Sequence, residues 1–378
     1  MDRDGITAEV AARLVAGQFP QWAGLPVVPV GLGGWDNIMF RLGGELSVRL
    51  PSGPDYAAQV AKEHRWLPVL AGQLPLPVPE PVALGQPTAG FPWPWSVYRW
   101  IEGEPACLGQ VTDLTGFAAD LARFLAALYA IDASGGPPPG RHNWFRGGSP
   151  SIWDEQTRTC IDRLAADIDA RAARQVWDSA LASPWRHPPV WVHGDITASN
   201  LLLADGALHA VIDFGCTAVG DPACDLVMAW TFFPAQAAAT FRRGLPADEA
   251  TWARARGWAL WKALITLGGQ QGHDGGRAAA RQFGWRYSPR QVISRVIADD
   301  AACALQANLS ALQARLKGGQ GHQEQAQRPP GRRELDPVDR EVAPPCRLPV
   351  RWHRLGVPGQ DHLVERFLPP VGDDVYRR

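Results

Sequence analysis

The chain has 378 residues, 46% of them hydrophobic, which is enough apolar material for a sizeable core and for two lobes or domains. A formal net charge of −1 excludes the broad basic field that tracks a nucleic-acid backbone. The six cysteines form no CxxC pair and no zinc-finger spacing with histidine, so reduced thiols are expected.

In chain order, MDRDGITAEV lacks the basic and apolar regions of a signal peptide, and no later stretch reaches the length of a membrane span; a soluble, cytoplasmic protein is expected. Leu25 to Leu50 reads as the strands LPVVPV, NIMFRLG and ELSVRLP, separated by glycines that suit hairpins of an antiparallel sheet. Tyr56 to Leu70 then carries Val60, His64, Leu67 and Leu70 at helical spacing, and PLPVPEPVALG breaks the pattern before the strand-like WSVYRWI.

After Gly103 the chain turns helical, with Leu114, Phe117, Leu121, Phe124, Leu125 and Leu128 on one face behind an Asp113 cap. Ser134 to Pro150 is a Gly/Pro-rich connection, and Ile152 to Ala182 resumes the helical pattern. Short strands follow around Val190–His193, Leu201–Leu203 and Leu208–Ile212, then helices over Ala223–Phe233, Glu249–Leu267 and Pro289–Leu316. Trp252, Trp258 and Trp261 are expected in the core. From Lys317 to Arg378 the sequence is rich in Arg, Pro, Gln and Gly without a period, which predicts a disordered tail.

The segment WVHGDITASNLLL, followed by VIDFG, carries the chemistry. Asp195 lies five positions before Asn200, and three leucines then anchor both in a strand; Asp213 follows the strand-like ALHAVI. Phosphoryl transfer needs a carboxylate to orient the attacking hydroxyl and hard oxygen ligands to fix Mg²⁺ on the phosphates. Asp195 fits the first role, Asn200 and Asp213 the second. His193, Gly194, Asp195, Asn200, Asp213, Phe214 and Gly215 together meet the ordered signature H-x-D, Asn, DFG of kinases.

WVHGDITASNLLL with VIDFGCTAVGDPACDL resembles the catalytic segment of the aminoglycoside phosphotransferase-like small-molecule kinases, and the likeness extends over GGWDNIMFRL, SVRLP, WPWSVYRWIEGE, RHNWFRGG and GWALWKALI. The resemblance implies an α+β, bilobal protein-kinase-like fold with a small antiparallel-sheet N-lobe over residues 1–102. A larger, mainly helical C-lobe would follow over 103–316, and the tail over 317–378. It further implies a phosphate-covering loop at Gly33, Gly34, Trp35, Asp36 and Asn37, although by themselves these glycines serve equally as hairpin punctuation.

In such kinases a basic residue on the third strand grips phosphate and pairs with a helix glutamate, which maps to Arg49 and Glu63. Arginine stands where lysine is usual, and its planar fork is not equivalent to an ammonium; without the resemblance, the pair reads as a surface ion pair. Backbone groups near Arg99 and Ile101 would bind adenine, with ATP or GTP as donor, and His193 is expected to be structural. Asp221 and Asp225 read as capping or loop-bracing residues.

The implied function is transfer of the γ-phosphate to a hydroxyl of a small molecule. One alternative is a nucleotide-binding pseudokinase, suggested by Arg49 but opposed by the retained Asp195 and Asp213. The other is a protein kinase, opposed by the short run from Gly215 to GDP, which leaves no room for an activation segment. Asp154, Glu155, Asp299 and Asp300 read as solvated helix acids rather than a polycation site, and the acceptor stays open among antibiotics, sugars and amino alcohols. Neither nucleic acid nor membrane is expected as a partner.

Overall fold

Five strands form one antiparallel sheet in the order β1 (Val27–Pro29), β2 (Asn37–Leu42), β3 (Leu46–Pro51), β5 (Trp95–Arg99), β4 (Pro81–Gly85). This computed structural model describes residues 3–31, 36–269 and 284–325. The β2–β3 hairpin turns at Gly43, whose φ of 61° lies in the left-handed region that glycine enters at little cost. β4 corrects the reading of PLPVPEPVALG as a mere break: it is a strand, placed at the sheet edge, where Pro81 forfeits no needed ladder bond.

α1 (Ala8–Gln18), which the strand-centred reading of the N-terminus passes over, starts at Thr7 capping Val10 N–H. It presents Val10, Ala11, Leu14 and Val15 to Phe40, Leu42, Val48 and Leu50 of the sheet, all buried. α2 (Pro54–Ala71) buries Val60, Leu67 and Leu70, together with the polar Gln59, Lys62 and Glu63. Polar groups buried in that number need partners, and they find them at the site described below.

The remainder is mainly helical. α3 (Leu114–Ala130) is capped by Asp113, as expected, through Thr115 N–H at 2.9 Å. The stretch expected as helical over 152–182 is two helices, α4 (Asp154–Arg163) and α5 (Ala170–Leu181), the second started by Asp169 accepting from Ala172 N–H at 3.0 Å. β7 (Val190–Val192) pairs with β10 (Ala218–Gly220), and β8 (Leu201–Ala204) lies between β6 (Glu104–Pro105) and β9 (Ala207–Val211).

α6 (Met228–Thr231) and α7 (Ala235–Arg243) lead to α8 (Glu249–Gly268), buried on nearly every side. Trp252, Trp258 and Trp261 are 5%, 2% and 4% exposed, so they are core, as expected. Gly257 allows α8 to press onto α5: a Cβ there would lie 2.6 Å from the Ala180 methyl. α9 (Pro289–Gln325) runs past Lys317, the expected start of the tail, and residues 326–378 lie outside the described residues.

Contacts divide the chain into Met1–Ala301, which contains every site residue discussed below, and Ala302–Arg378, whose described part is the remainder of α9. Among the described residues no helix is long and apolar enough to cross a membrane.

Candidate active site

β7 delivers the chain into a tight turn at His193, Gly194 and Asp195, and the Asp225 carboxylate holds that turn by accepting from His193 N–H (2.9 Å) and Gly194 N–H (2.7 Å). Gly194 has a φ of 86°, and a Cβ on it would lie 2.4 Å from the Cys216 carbonyl oxygen. Steric need therefore explains glycine at this position. Gly194→Ala is expected to cost roughly 1–3 kcal/mol from backbone strain, before any clash, read as a lowered midpoint in urea.

His193 is fully buried; its Nε2 lies 3.0 Å from the Ile212 carbonyl, its Nδ1 accepts from Asp195 N–H at 3.2 Å, and Phe214 packs edge-on at 4.7 Å. The contacts fix a neutral tautomer with the proton on Nε2, and burial lowers its pKa. Both ring nitrogens are thus engaged by backbone groups, which fits the structural role expected of it.

Asp195 keeps about a third of its side chain open (32%), with Lys262 Nζ of α8 at 2.8 Å from Oδ1. Burial acts to raise its carboxyl pKa, but Lys262, with a smaller contribution from Arg146, outweighs this and holds it below the ordinary value. Asn200 Nδ2 donates to the Asp195 carbonyl oxygen at 2.9 Å and lies 3.3 Å from its Oδ2. The amide is thus anchored through nitrogen, which leaves its oxygen for a metal.

On the sheet side, Arg49 is 7% exposed. Its Nη1 donates to Glu63 Oε1 at 2.7 Å, its Nη2 to Asp213, and Tyr98 Oη donates to Glu63 Oε2 at 2.8 Å. The pair is therefore buried, in contrast to the surface ion pair that the sequence alone also allowed. With its amide oxygen facing Arg49, Asn37 accepts from Nη2 (2.9 Å) and Nε (3.0 Å).

Asp36 accepts from Gln59 Nε2 at 2.9 Å, and its pKa is pushed up to about 6, first by burial and then by the facing Asp213 charge. Lys62 of α2 donates to the Gly215 carbonyl at 2.7 Å and lies 3.0 Å from His142 Nδ1. Gly215 also passes close beneath α2, since a Cβ there would meet Gln59 Oε1 at 2.5 Å.

These residues suit magnesium. The Asp213 and Asp195 charges both act to raise the Asp36 pKa, and Asp213 with the Asn200 oxygen offers a hard donor set for a divalent cation. No group of three or more His, Cys, Asp or Glu gathers as a metal cluster among the described residues; Mg²⁺ manages with one or two carboxylates and the phosphates themselves.

The structure thus brings Asp36, Asn37, Arg49, Glu63 and Asp213 into one network, with Asp195 and Asn200 joined to each other beside it. Arg99 is not in it: it is half exposed at the end of β5, 3.8 Å from Glu80 and 4.0 Å from Glu45, and its N–H donates to the Glu80 carbonyl. Ile101 lies two residues beyond the end of β5. Gly33, Gly34 and Trp35 lie outside the described residues.

A model of the phosphotransferase enzyme family matches residues 27–258. The chain belongs to that family. Among solved structures, the GDP complex of wild-type aminoglycoside 2'-phosphotransferase-IIIa aligns with a TM-score of 0.56 at 18% identity, covering 78% of this chain and 100% of that one.

The GDP and kanamycin complex of APH(2")-IIIa aligns with a TM-score of 0.52 at 20% identity over 77% of this chain and 98% of that one. The gentamicin complex of APH(2")-IIa gives 0.51 at 17% identity over 77% and 96%. At these identities the likeness is one of fold, the kinase-like arrangement of antiparallel sheet and helical part. Comparison with curated protein sequences gives no match.

Lys262 and Arg146 go beyond what the sequence motifs identify in this phosphotransferase family member, whereas Asp225 braces the loop as read from the sequence. One signal was present: the chain has three lysines, and Lys262 is embedded in the otherwise apolar GWALWKALI. A lysine kept at a core position of a helix asks for a buried carboxylate partner.

Proposed function

We propose that the protein transfers the γ-phosphate of ATP to a hydroxyl group of a small molecule. The observation that carries this reading is the partly open Asp195 carboxylate, fixed by Lys262 and Asn200 beside the network of Arg49, Glu63 and Asp213. Residues 1–102 would bind the nucleotide, with Asp36 and Asn37 near the phosphates, Arg49 gripping them, and the backbone by Ile101 meeting the base. Residues 103–316 would supply the chemistry and the acceptor pocket. The GDP bound by a neighbour of the same fold keeps GTP open as donor.

In this reading the acceptor hydroxyl donates to Asp195, which orients its oxygen toward the γ-phosphorus. The new O–P bond forms as the β–γ bridging bond breaks, ADP departs with that electron pair, and the hydroxyl proton passes to the Asp195 carboxylate. Mg²⁺, held by Asn200 and Asp213, would neutralise charge on the phosphates. The connection after Gly215 supports a small acceptor: β10 begins at Ala218 and pairs at once with β7, Val219 facing Trp191.

The test is ADP formation from ATP over a panel of hydroxylated compounds, with and without magnesium. Magnesium-dependent turnover stimulated by at least one acceptor is expected. ATP binding with no turnover above that of Asp195→Ala would replace the proposal with a nucleotide-binding module, a second reading favoured by the Arg49 contact to Asp213.

A pH profile tests the role of Lys262. Because Lys262 holds the Asp195 pKa down, the wild-type rate should persist at acidic pH until the depressed value is passed; in Lys262→Met the acid limb of kcat/KM should move to higher pH. An acid limb that stays in place would show that Lys262 does not set Asp195.

A further inference from the structure

The loop RHNWFRGG, between α3 and α4, has no part in the phosphate chemistry, yet its conformation is closely held. Asn143 is fully buried, accepts from Gly140 N–H at 2.9 Å, and donates through Nδ2 to the Arg146 carbonyl (2.8 Å) and the Cys216 carbonyl (3.2 Å). Trp144 and Phe145 both take left-handed backbone, φ 54° and 56°, which non-glycine residues adopt at a cost. What this loop delivers is Arg146.

The Arg146 guanidinium lies 4.7 Å from the Trp261 ring centre and 5.3 Å from that of Trp258. It lines the same cleft as Asp195, Gly194, Ile196, Val227 and Lys262. Its Nη1 is buried without a hydrogen-bond partner, and among the described residues Arg146 forms no ion pair. The buried arginines Arg254 and Arg49, by contrast, are matched: Arg254 by Asp221 and Arg49 by Glu63 and Asp213. Indole faces offset part of the cost of an unmatched guanidinium, but a planar oxyanion is its natural partner.

The charge balance of the cleft points the same way. Asp195 is already paired with Lys262, and Asp225 spends its carboxylate on the His193 and Gly194 amides, so neither carboxylate pairs directly with Arg146. The acids that a polycation would seek are taken. Asp154 is held by Arg158 at 2.8 Å, Asp299 by Arg242 at 2.6 Å and Arg256 at 3.2 Å, and Asp300 lies 3.3 Å from Arg256. Asp300, read from the sequence as solvated, is in fact buried. Of the four acids only Glu155 is exposed, on the first turn of α4.

We infer that the acceptor carries a carboxylate or phosphate group near the hydroxyl that is phosphorylated, and that Arg146 binds this oxyanion. The inference rests on the phosphotransferase reading for the word acceptor, whereas the anion site stands on Arg146 alone. A polycationic acceptor would meet the Arg146 charge with no carboxylate left to pair with it, and be disfavoured.

The experiment is a calorimetric titration of the purified full chain with glucuronate, glucose 6-phosphate, glucose, glucosamine and kanamycin. It is repeated with ADP and magnesium present, which separates glucose 6-phosphate bound in the nucleotide cleft from that bound at Arg146. At least one anion is expected to bind about tenfold or more tighter than glucose, with both cationic probes weaker than glucose. The carboxylate and phosphate arms identify which oxyanion the site takes.

Arg146→Gln should erase the anion preference, and Arg146→Lys should retain it at reduced affinity, which guards against a variant that merely misfolds. The inference falls if neither anion binds at millimolar concentration, if a cationic probe equals or exceeds the anions, or if Arg146→Gln keeps the preference. Anion binding without any phosphoryl transfer from ATP would instead sink the phosphotransferase reading and leave the site.

Discussion

Asp195→Ala should lower acceptor-dependent ADP formation by about 10²–10⁴-fold, the range expected when a positioned proton acceptor is removed. Nucleotide affinity should change little, because Asp195 touches Lys262 and Asn200 and makes no hydrogen bond to Arg49, Glu63 or Asp213. A steady-state comparison checks both parts: kcat falls while the KM for ATP holds. A loss confined to the KM for ATP would move Asp195 out of the acceptor site. Asp195→Asn keeps the shape and removes the charge, and it should be nearly as inactive, since an amide does not take the hydroxyl proton.

Arg254→Met should cost the protein more stability than Gly194→Ala. Arg254 and Asp221 are 2% and 3% exposed and meet bidentately, Nε to Oδ2 at 2.6 Å and Nη2 to Oδ1 at 3.1 Å. Arg254 Nη1 also donates to the Ser183 carbonyl at 2.8 Å, tying α8 to the end of α5. Removing one partner strands the other as a buried, uncompensated charge, which costs about 3–5 kcal/mol. Thermal unfolding should show a midpoint lower by roughly 10 °C for a chain of this size. Asp221→Leu added to Arg254→Met should recover part of the loss, because it removes the stranded carboxylate. An unchanged midpoint in the single variant would mean that water reaches Asp221.

How much of this is legible in the sequence follows from which interactions are local. His193, Asp195, Asn200, Asp213, Phe214 and Gly215 fall within 23 positions, between strands whose apolar runs announce them, and the structure puts those strands at the expected places. Arg49 and Glu63 lie 14 residues apart and are located by resemblance; their burial is not readable, because it depends on Tyr98 and Asp213 arriving from elsewhere.

Lys262 meets Asp195 across 67 residues, and no periodicity within α8 specifies which face looks at the cleft, since the helix is buried nearly all round. β4 is obscured by Pro81 and the prolines just before it; a proline is compatible with a strand at an edge, and edge position is a property of the whole sheet. The need for glycine at position 194 is equally non-local: its reason, the approach of the Cys216 carbonyl, lies 22 residues further on.

The scarcity of lysine has a consequence for chemical labelling. The chain has 37 basic residues but its lysines are Lys62, Lys262 and Lys317 alone, and the first two sit at the candidate active site. Burial lowers the Lys62 pKa to about 8, so near that pH much of its amine is neutral, while an ordinary lysine remains protonated. Acylating reagents act on the neutral amine, and a surface supplied with arginine gives them little else to find. The extent of Lys62 acylation, read by mass spectrometry, would report how firmly α2 is seated on Gly215, in a protein whose exterior is almost silent to the same reagent.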